Sequence, residues 1–226
     1  MKNKLDNKNM LIFSGVVFLV ALAVTAFAWT KVPADAQIPI HWNAKGEVDG
    51  YGSKTFGLLM GPGLVLGLSL LLAFVPRMEP RGENLLRSQK AYKVVWGFIL
   101  IFMLGLHLIT TSAALGTNIN MASMMSYAMG ILFMAIGNYM GKIRSNFMFG
   151  IRTPWALSSE VSWNKTHRLG GRLFFFVGLL VFVSAFLKRG DLSFGLLIGG
   201  LFLTLILTYA YSYWVWKQDE GRKEIS

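Results

Sequence analysis

The chain has 226 residues, 54% of them hydrophobic and only 15% charged, against about 25% charged in a soluble domain. Its apolar stretches are long enough to cross about 30 Å of hydrocarbon, which excludes a soluble protein and makes this a polytopic membrane helical bundle. The absence of cysteine excludes a disulfide framework and a thiolate metal site. The net charge of +11 is read as Lys and Arg gathered on cytoplasmic loops for reasons of topology, not as a surface for direct contact with nucleic acid.

Residues 9–30 carry no charge and predict a first membrane helix over 10–29, behind a basic start (Lys2, Lys4, Lys8). A signal peptide is the competing reading, because Ala26-Phe27-Ala28 resembles a cleavage site; the apolar run exceeds the 7–15 residues of a signal, roughly, and favours a retained anchor. An outer loop, 30–55, follows. Residues 55–76 give helix two, with Pro62 loosening its first turns and Gly57/Gly61 and Gly63/Gly67 at the four-residue spacing that lets helices approach closely. A charged connection, 77–93, is marked by Pro76 and Pro80. Residues 94–141 hold no charge and suit two helices, 93–114 and 121–140, joined by a tight polar turn around 116–120. The fifth crossing has only 173–187 free of charge and is completed by Arg172 reaching back to the headgroups. The last helix, 192–214, ends in an aromatic belt of Tyr209, Tyr211, Tyr213, Trp214 and Trp216.

The expected fold is therefore all-α, with six transmembrane helices and both termini cytoplasmic. Seventeen basic residues then fall on inner segments and five on outer ones, the asymmetry that the positive-inside rule expects. The chain reads as one membrane domain, 1–226. Residues 1–75 form a first helical hairpin with its outer loop, and 76–226 form a four-helix part with a cytoplasmic loop, 137–172.

That loop is the densest stretch of the sequence. Asn138, Arg144, Asn146, Arg152, Trp155, Trp163, Asn164, His167 and Arg168 crowd polar and aromatic groups where a plain turn needs a handful of residues. Thr153-Pro154 predicts an N-cap followed by a first-turn proline, hence a short helix. Arg152 offers a planar fork of donors for phosphate or carboxylate, beside the free N–H groups of that helix start. Trp155 and Trp163 are rings of the kind that sit at headgroup depth, and Asn138 and Asn146 could brace the pocket. The alternative is that Arg152 caps carbonyls at helix ends while the tryptophans float the loop on the bilayer.

All eleven acidic residues lie outside the apolar runs, so a proton- or cation-coupled transporter lacks its usual intramembrane carboxylate. His107 alone is placed within a crossing, as a helix contact or a proton relay. The three histidines (His41, His107, His167) are spread over the predicted topology, and neither His-Glu-x-x-His nor Gly-x-Ser-x-Gly occurs. No metal, cofactor or catalytic residue is expected. On the outer loop, Ile38, Ile40 and Trp42 alternate as in a short extended segment, and residues 43–46 read as a turn. There Trp42 and Tyr51 either anchor the interface or, with His41, Asn43 and Asp49 supplying hydrogen bonds, form an outward recognition surface.

The outer loop, Pro39-Ile40-His41-Trp42-Asn43 with Gly46, Asp49, Tyr51 and Lys54, resembles a signature of a widespread bacterial domain of uncharacterised function. The inner stretch, Gly137-Asn138, Asn146, Gly150-Ile151-Arg152-Thr153-Pro154-Trp155, Trp163 and Thr166-His167-Arg168, resembles the C-terminal signature of the SdpI family, bacterial membrane proteins named for immunity against a secreted killing peptide. The resemblance implies a multi-pass plasma-membrane protein that protects its cell by binding a peptide toxin on the outer side. It also implies, as in the founding system, a cytoplasmic transcriptional repressor held at the membrane as a further partner. A membrane enzyme or lipid-handling protein centred on the cluster from Arg152 to His167 is the runner-up, and a transporter the third reading.

Overall fold

The computed structural model describes residues 6–117 and 119–222. Lys2 and Lys4 of the basic start, Lys223 of the tail and Asn118 of the expected turn lie outside the described residues. Six helices are long and apolar enough to cross a membrane. They are α1 (Lys8–Lys31), α2 (Lys54–Met78), α4 (Gln89–Ala114), α5 (Met121–Met140), α7 (Glu160–Ser184) and α8 (Gly190–Lys217). Two short helices, α3 (Gly82–Arg87) and α6 (Pro154–Ser158), and a 3-10 turn, Ala185–Leu187, complete the helical part. Between α1 and α2 the chain forms an antiparallel hairpin of β1 (Gln37–Trp42) and β2 (Val48–Ser53). The helices alternate in direction, so one end of the bundle carries this hairpin and the other carries α3, α6 and the segment between α5 and α7.

The burial pattern is that of a protein dissolved in lipid. In α1 the buried side is a stripe of Ser14, Val17, Ala21, Thr25 and Ala28, while Leu11, Ile12, Val16, Leu19 and Phe27 are exposed. In α8 the buried residues are Ser193, Thr204, Thr208, Ser212 and Val215, with Phe202, Leu203, Leu205 and Ile206 outward. Lipid tails are as apolar as leucine, so helices associate through small residues that allow close packing and through polar contacts between helices. Buried hydroxyls avoid orphaning by bonding one turn back, as Ser14 does to Met10 O, Ser69 to Val65 O and Thr208 to Thr204 O.

The closest helix crossing joins α5 to α7. A β-carbon at Gly130 would lie 2.7 Å from the Gly178 carbonyl oxygen, and one at Gly137 would lie 2.5 Å from that of Gly171. The reciprocal distances at Gly178 and Gly171 are 2.7 and 2.6 Å. Two glycine pairs, seven residues apart on both helices, thus let the backbones touch. On α2 only the first expected pair behaves this way: Gly57 receives Ile38 and Gly61 receives the His107 ring, whereas Gly63 and Gly67 meet nothing within 4 Å. Four-residue spacing marked a packing face in the first case and a lipid face in the second.

Pro62 does not loosen α2, which runs unbroken through Pro62 and Pro76. A proline cannot donate to the carbonyl four residues back, so Leu58 O and Leu72 O lose their helical partners. Each is met from a neighbouring helix. The Thr25 hydroxyl of α1 donates to Leu58 O at 2.9 Å, and the Tyr92 hydroxyl of α4 donates to Leu72 O. Having given its proton to Leu58, Thr25 Oγ1 accepts from His107 Nε2 at 3.1 Å, with Ala21 O a second acceptor at 3.2 Å. His107 is therefore a helix contact with its proton on Nε2.

The expected inner loop, 137–172, is corrected by the structure. Residues 137–140 are the last turn of α5, and residues 160–172 are the first half of α7. Ser159 caps α7 by accepting from Ser162 N, so the helix starts thirteen residues before the charge-free stretch does. Only 141–159 connects the two helices, and it includes α6. The charged connection 77–93 is likewise mostly helical, taken up by the end of α2, by α3 and by the start of α4.

Candidate functional site

The connection between α5 and α7 is a strap held down by four of the side chains that the sequence singles out, Asn146, Thr153, Trp163 and His167. Asn146 is fully buried. Its Oδ1 accepts from Met148 N at 2.9 Å and Phe149 N at 2.8 Å, and its Nδ2 donates to Arg144 O at 3.0 Å. One side chain thereby stands in for the secondary structure that this irregular backbone lacks. His167, also fully buried, places Nδ1 2.9 Å from the Trp163 carbonyl. A carbonyl only accepts, so Nδ1 carries the proton and Nε2 is free to accept from Ile151 N at 3.0 Å. Gly150 makes this approach feasible: its φ is +105°, and a β-carbon there would fall 2.4 Å from His167 Nε2.

The rest of the Gly150–Trp155 string is fastened the same way. The Ile151 side chain packs against bare Gly170, where a β-carbon would lie 2.4 Å from Ile151 Cδ1. Thr153 caps α6 by accepting from Ala156 N at 3.1 Å and donates to Ser212 Oγ of α8 at 2.9 Å. Pro154 takes the first helical position, as expected from its fixed φ. Trp155 stands edge-on to Tyr209 and Tyr213 of α8. Trp163 does not float on the bilayer; it is fully buried within the protein, stacks on His167 at 4.0 Å and donates Nε1 to Ile143 O at 2.8 Å.

A second set of contacts joins the strap to the connection between α2 and α4, and sequence reading missed it. Glu79, only 7% exposed, accepts from Phe147 N at 3.0 Å and Met148 N at 3.2 Å through Oε2, and from Arg81 N through Oε1. The Arg81 guanidinium bonds Ser145 Oγ and the Leu157 carbonyl and lies over the Phe147 ring. Asn84 donates to Ser145 O, and Ser88 Oγ accepts from Arg144 N. The only hint in the sequence was an acidic residue among basic ones beside Pro80.

Arg152 is exposed and gives one N–H to the Phe147 carbonyl at 2.5 Å, which leaves the remainder of its fork facing outward. With Lys142, Arg144 and Arg168, all exposed, and with Phe147 38% exposed, it forms a basic outer face suited to lipid phosphates or to an acidic segment. The helix-start anion site does not form, because α6 has five residues and its Ala156 N–H is already taken by Thr153. Asn138 lies on the exposed face of α5, away from Asn146, and does not brace the strap.

At the opposite end the hairpin is as extended and as tightly turned as its sequence predicts. Asn43 Oδ1 accepts from Lys45 N and Glu47 N, Nδ2 donates to Glu47, and Gly46 sits at φ +83°. Asn43 is thus committed to shaping the turn. His41 Nδ1 and Asp49 Oδ1 pair across the strands at 2.5 Å, both exposed, beside Tyr51, which is 58% exposed. Trp42 is half-buried. The hairpin is docked on the bundle: Ile38 is buried against Gly57, and the turn rests on α5 and α8. A β-carbon at Gly46 would lie 2.8 Å from Ala122 Cβ, and one at Gly190 would lie 2.5 Å from Ala44 O.

Both regions match known proteins. Residues 142–212 match the model of the SdpI/YfhL protein family, and residues 16–66 match a domain of unknown function, DUF1648. The immunity protein SdpI of Bacillus subtilis (strain 168) is 27% identical over 125 residues, 55% of this chain; the match spans 60% of that relative's length. No solved structure matches the chain. In this multi-pass membrane protein the strap with α6, α7 and most of α8 is thus similar to the SdpI/YfhL family, while the greater part of α1, the hairpin and the first half of α2 are similar to the DUF1648 domain.

Proposed function

We propose that this chain is a membrane immunity protein that protects its cell from a secreted, membrane-active peptide by binding it and not by chemistry. The observation that carries this reading is the pairing, in one chain, of a family region shared with a bacterial immunity protein and a rigid polar hairpin docked at the opposite bundle end. In this reading 1–226 works as one domain. Its hairpin faces outward and its termini and strap face the cytoplasm, supported by the concentration of Lys and Arg at the strap end. His41, Trp42 and Asp49 meet the peptide, with Asn43 holding the turn. The strap's Asn146, Thr153, Pro154, Trp155, Trp163 and His167 hold up a basic face on which Arg152, with Asn138 on the exposed side of α5, contacts headgroups or a cytoplasmic partner such as a repressor.

Catalysis at the cluster from Arg152 to His167 is the weaker reading, because both His167 nitrogens are spent on backbone groups. A general base needs a free nitrogen within reach of a substrate proton. The test is survival of a toxin-sensitive bacterium expressing the chain, challenged with the family's secreted killing peptide. Protection by the wild type, lost in Trp42→Ala at equal membrane level, supports the proposal. No protection at verified expression refutes immunity against that peptide.

A further inference from the structure

Beneath the hairpin the bundle encloses a cavity of about 360 Å³, within the range of ligand pockets and more than twice the roughly 150 Å³ that holds a benzene ring. Its roof is the hairpin's 40–46 segment, and its walls come from α2, α4, α5, α7 and α8. Among the described residues, no Lys, Arg, Asp or Glu lines it; His41 at the roof and His107 in the wall are its titratable groups. Leu64 of α2 and Phe194 of α8 both line the cavity and are 46% and 51% exposed. Those two helices share no extended contact. The cavity therefore has an opening between them, on the lateral surface that the membrane-spanning helices turn to the bilayer.

Five of the chain's twelve methionines, Met60, Met103, Met121, Met125 and Met129, line this one space. Unbranched thioethers give an adaptable wall and attract aromatic rings, sulfur to ring edge. The wall itself has few rings, namely Trp42, Phe194 and the two imidazoles. A saturated lipid tail would gain no such contacts. We propose that this cavity is a binding site for an aromatic side chain of a peptide embedded in the bilayer, entering sideways between α2 and α8. The proposal rests on the reading of the chain as a receiver of membrane-active peptides and names which part of such a peptide it holds.

The five methionines in the cavity wall make methionine methyl NMR the natural test. The protein, labelled with ¹³C-methyl methionine, is placed in nanodiscs of perdeuterated phosphatidylglycerol and phosphatidylethanolamine. It is titrated with a lysine-flanked Leu/Ala helix of about 20 residues carrying one tryptophan near its outer end, and with the same helix carrying alanine there. The expected result is a saturable ring-current shift at the five cavity methyls, with about tenfold weaker binding of the alanine helix. The lipid-facing Met78 and Met124, 53% and 37% exposed, should not shift saturably. Filling the space with Met125→Trp or Met129→Phe should abolish the effect, and Ile131→Trp on the lipid face should leave it unchanged.

Equal response to both helices, or equal shifts at Met78 and Met124, overturns the proposal. So do contacts from protonated acyl chains that persist at the cavity methyls when the tryptophan helix is saturating, which would make the cavity a lipid niche. Because the probe is synthetic, the outcome is independent of the survival assay. A cavity that binds the probe in a chain that does not protect would refute immunity alone, and protection without probe binding would refute the cavity site alone.

Discussion

Replacing Asn146 by leucine tests whether the strap is held by one buried amide. The change keeps the branching of the side chain, with two bulkier methyl groups in place of the amide oxygen and nitrogen, and removes three hydrogen bonds. Met148 N retains Glu79 Oε2 at 3.2 Å, so two backbone groups, Phe149 N and Arg144 O, are left without a partner. An orphaned buried polar group costs about 1–3 kcal/mol, which places the loss at about 2–6 kcal/mol. For a chain of this size that is a fall in unfolding temperature of roughly 4–24 °C, read by circular dichroism in a mild detergent. Asn146→Asp should fall between, since a carboxylate accepts both N–H groups but cannot donate to Arg144 O. Arg152→Ala removes one bond from an exposed guanidinium and should cost no more than about 1 kcal/mol. If Asn146→Leu unfolds with the wild type, the strap is held by something other than this amide, and the reasoning fails.

Gly137→Ala forces a β-carbon to 2.5 Å from the Gly171 backbone and should cost about 1–3 kcal/mol by overpacking, whereas Gly63→Ala, with open space around it, should be neutral in the same melt. Thr25→Val keeps the shape but leaves Leu58 O and His107 Nε2 one partner short; unfolding in bicelles should show a loss of about 0.6–1.7 kcal/mol. Arg152→Ala, nearly silent for stability, should nonetheless weaken sedimentation with phosphatidylglycerol vesicles if the basic face contacts headgroups, and unchanged co-sedimentation of the solubilised protein would remove that role.

The elements that were legible from sequence are those decided by local physics. Charge-free runs set the six crossings, and α5 occupies the expected 121–140. Alternation at Ile38, Ile40 and Trp42 and the turn at 43–46 announced the hairpin, and Thr153-Pro154 announced the start of α6. The strap misled in proportion to its polarity. Asn164, Lys165, His167 and Arg168 read as loop, yet they lie in α7, because the buried polar members on that helix are satisfied by backbone arriving from elsewhere. His167 meets Ile151 and Trp163 meets Ile143, partners that no periodicity reveals.

The sequence by itself determined the solvent: a chain this apolar, with its charges in clusters, must hide its backbone in helices and show leucine and phenylalanine to lipid. It also determined the caps and turns, since Asn, Thr, Ser, Pro and Gly act on groups two or three residues away. The tertiary structure alone decided which small residues are contacts and which face lipid, as Gly61 and Gly63 show. It alone supplied Thr25 and Tyr92 to the carbonyls that Pro62 and Pro76 leave bare. It alone brought Glu79 to the strap and left a methionine-lined space under the hairpin. Each of these joins residues dozens of positions apart, and a hydrogen bond or a cavity between such residues exists only once the helices have been placed.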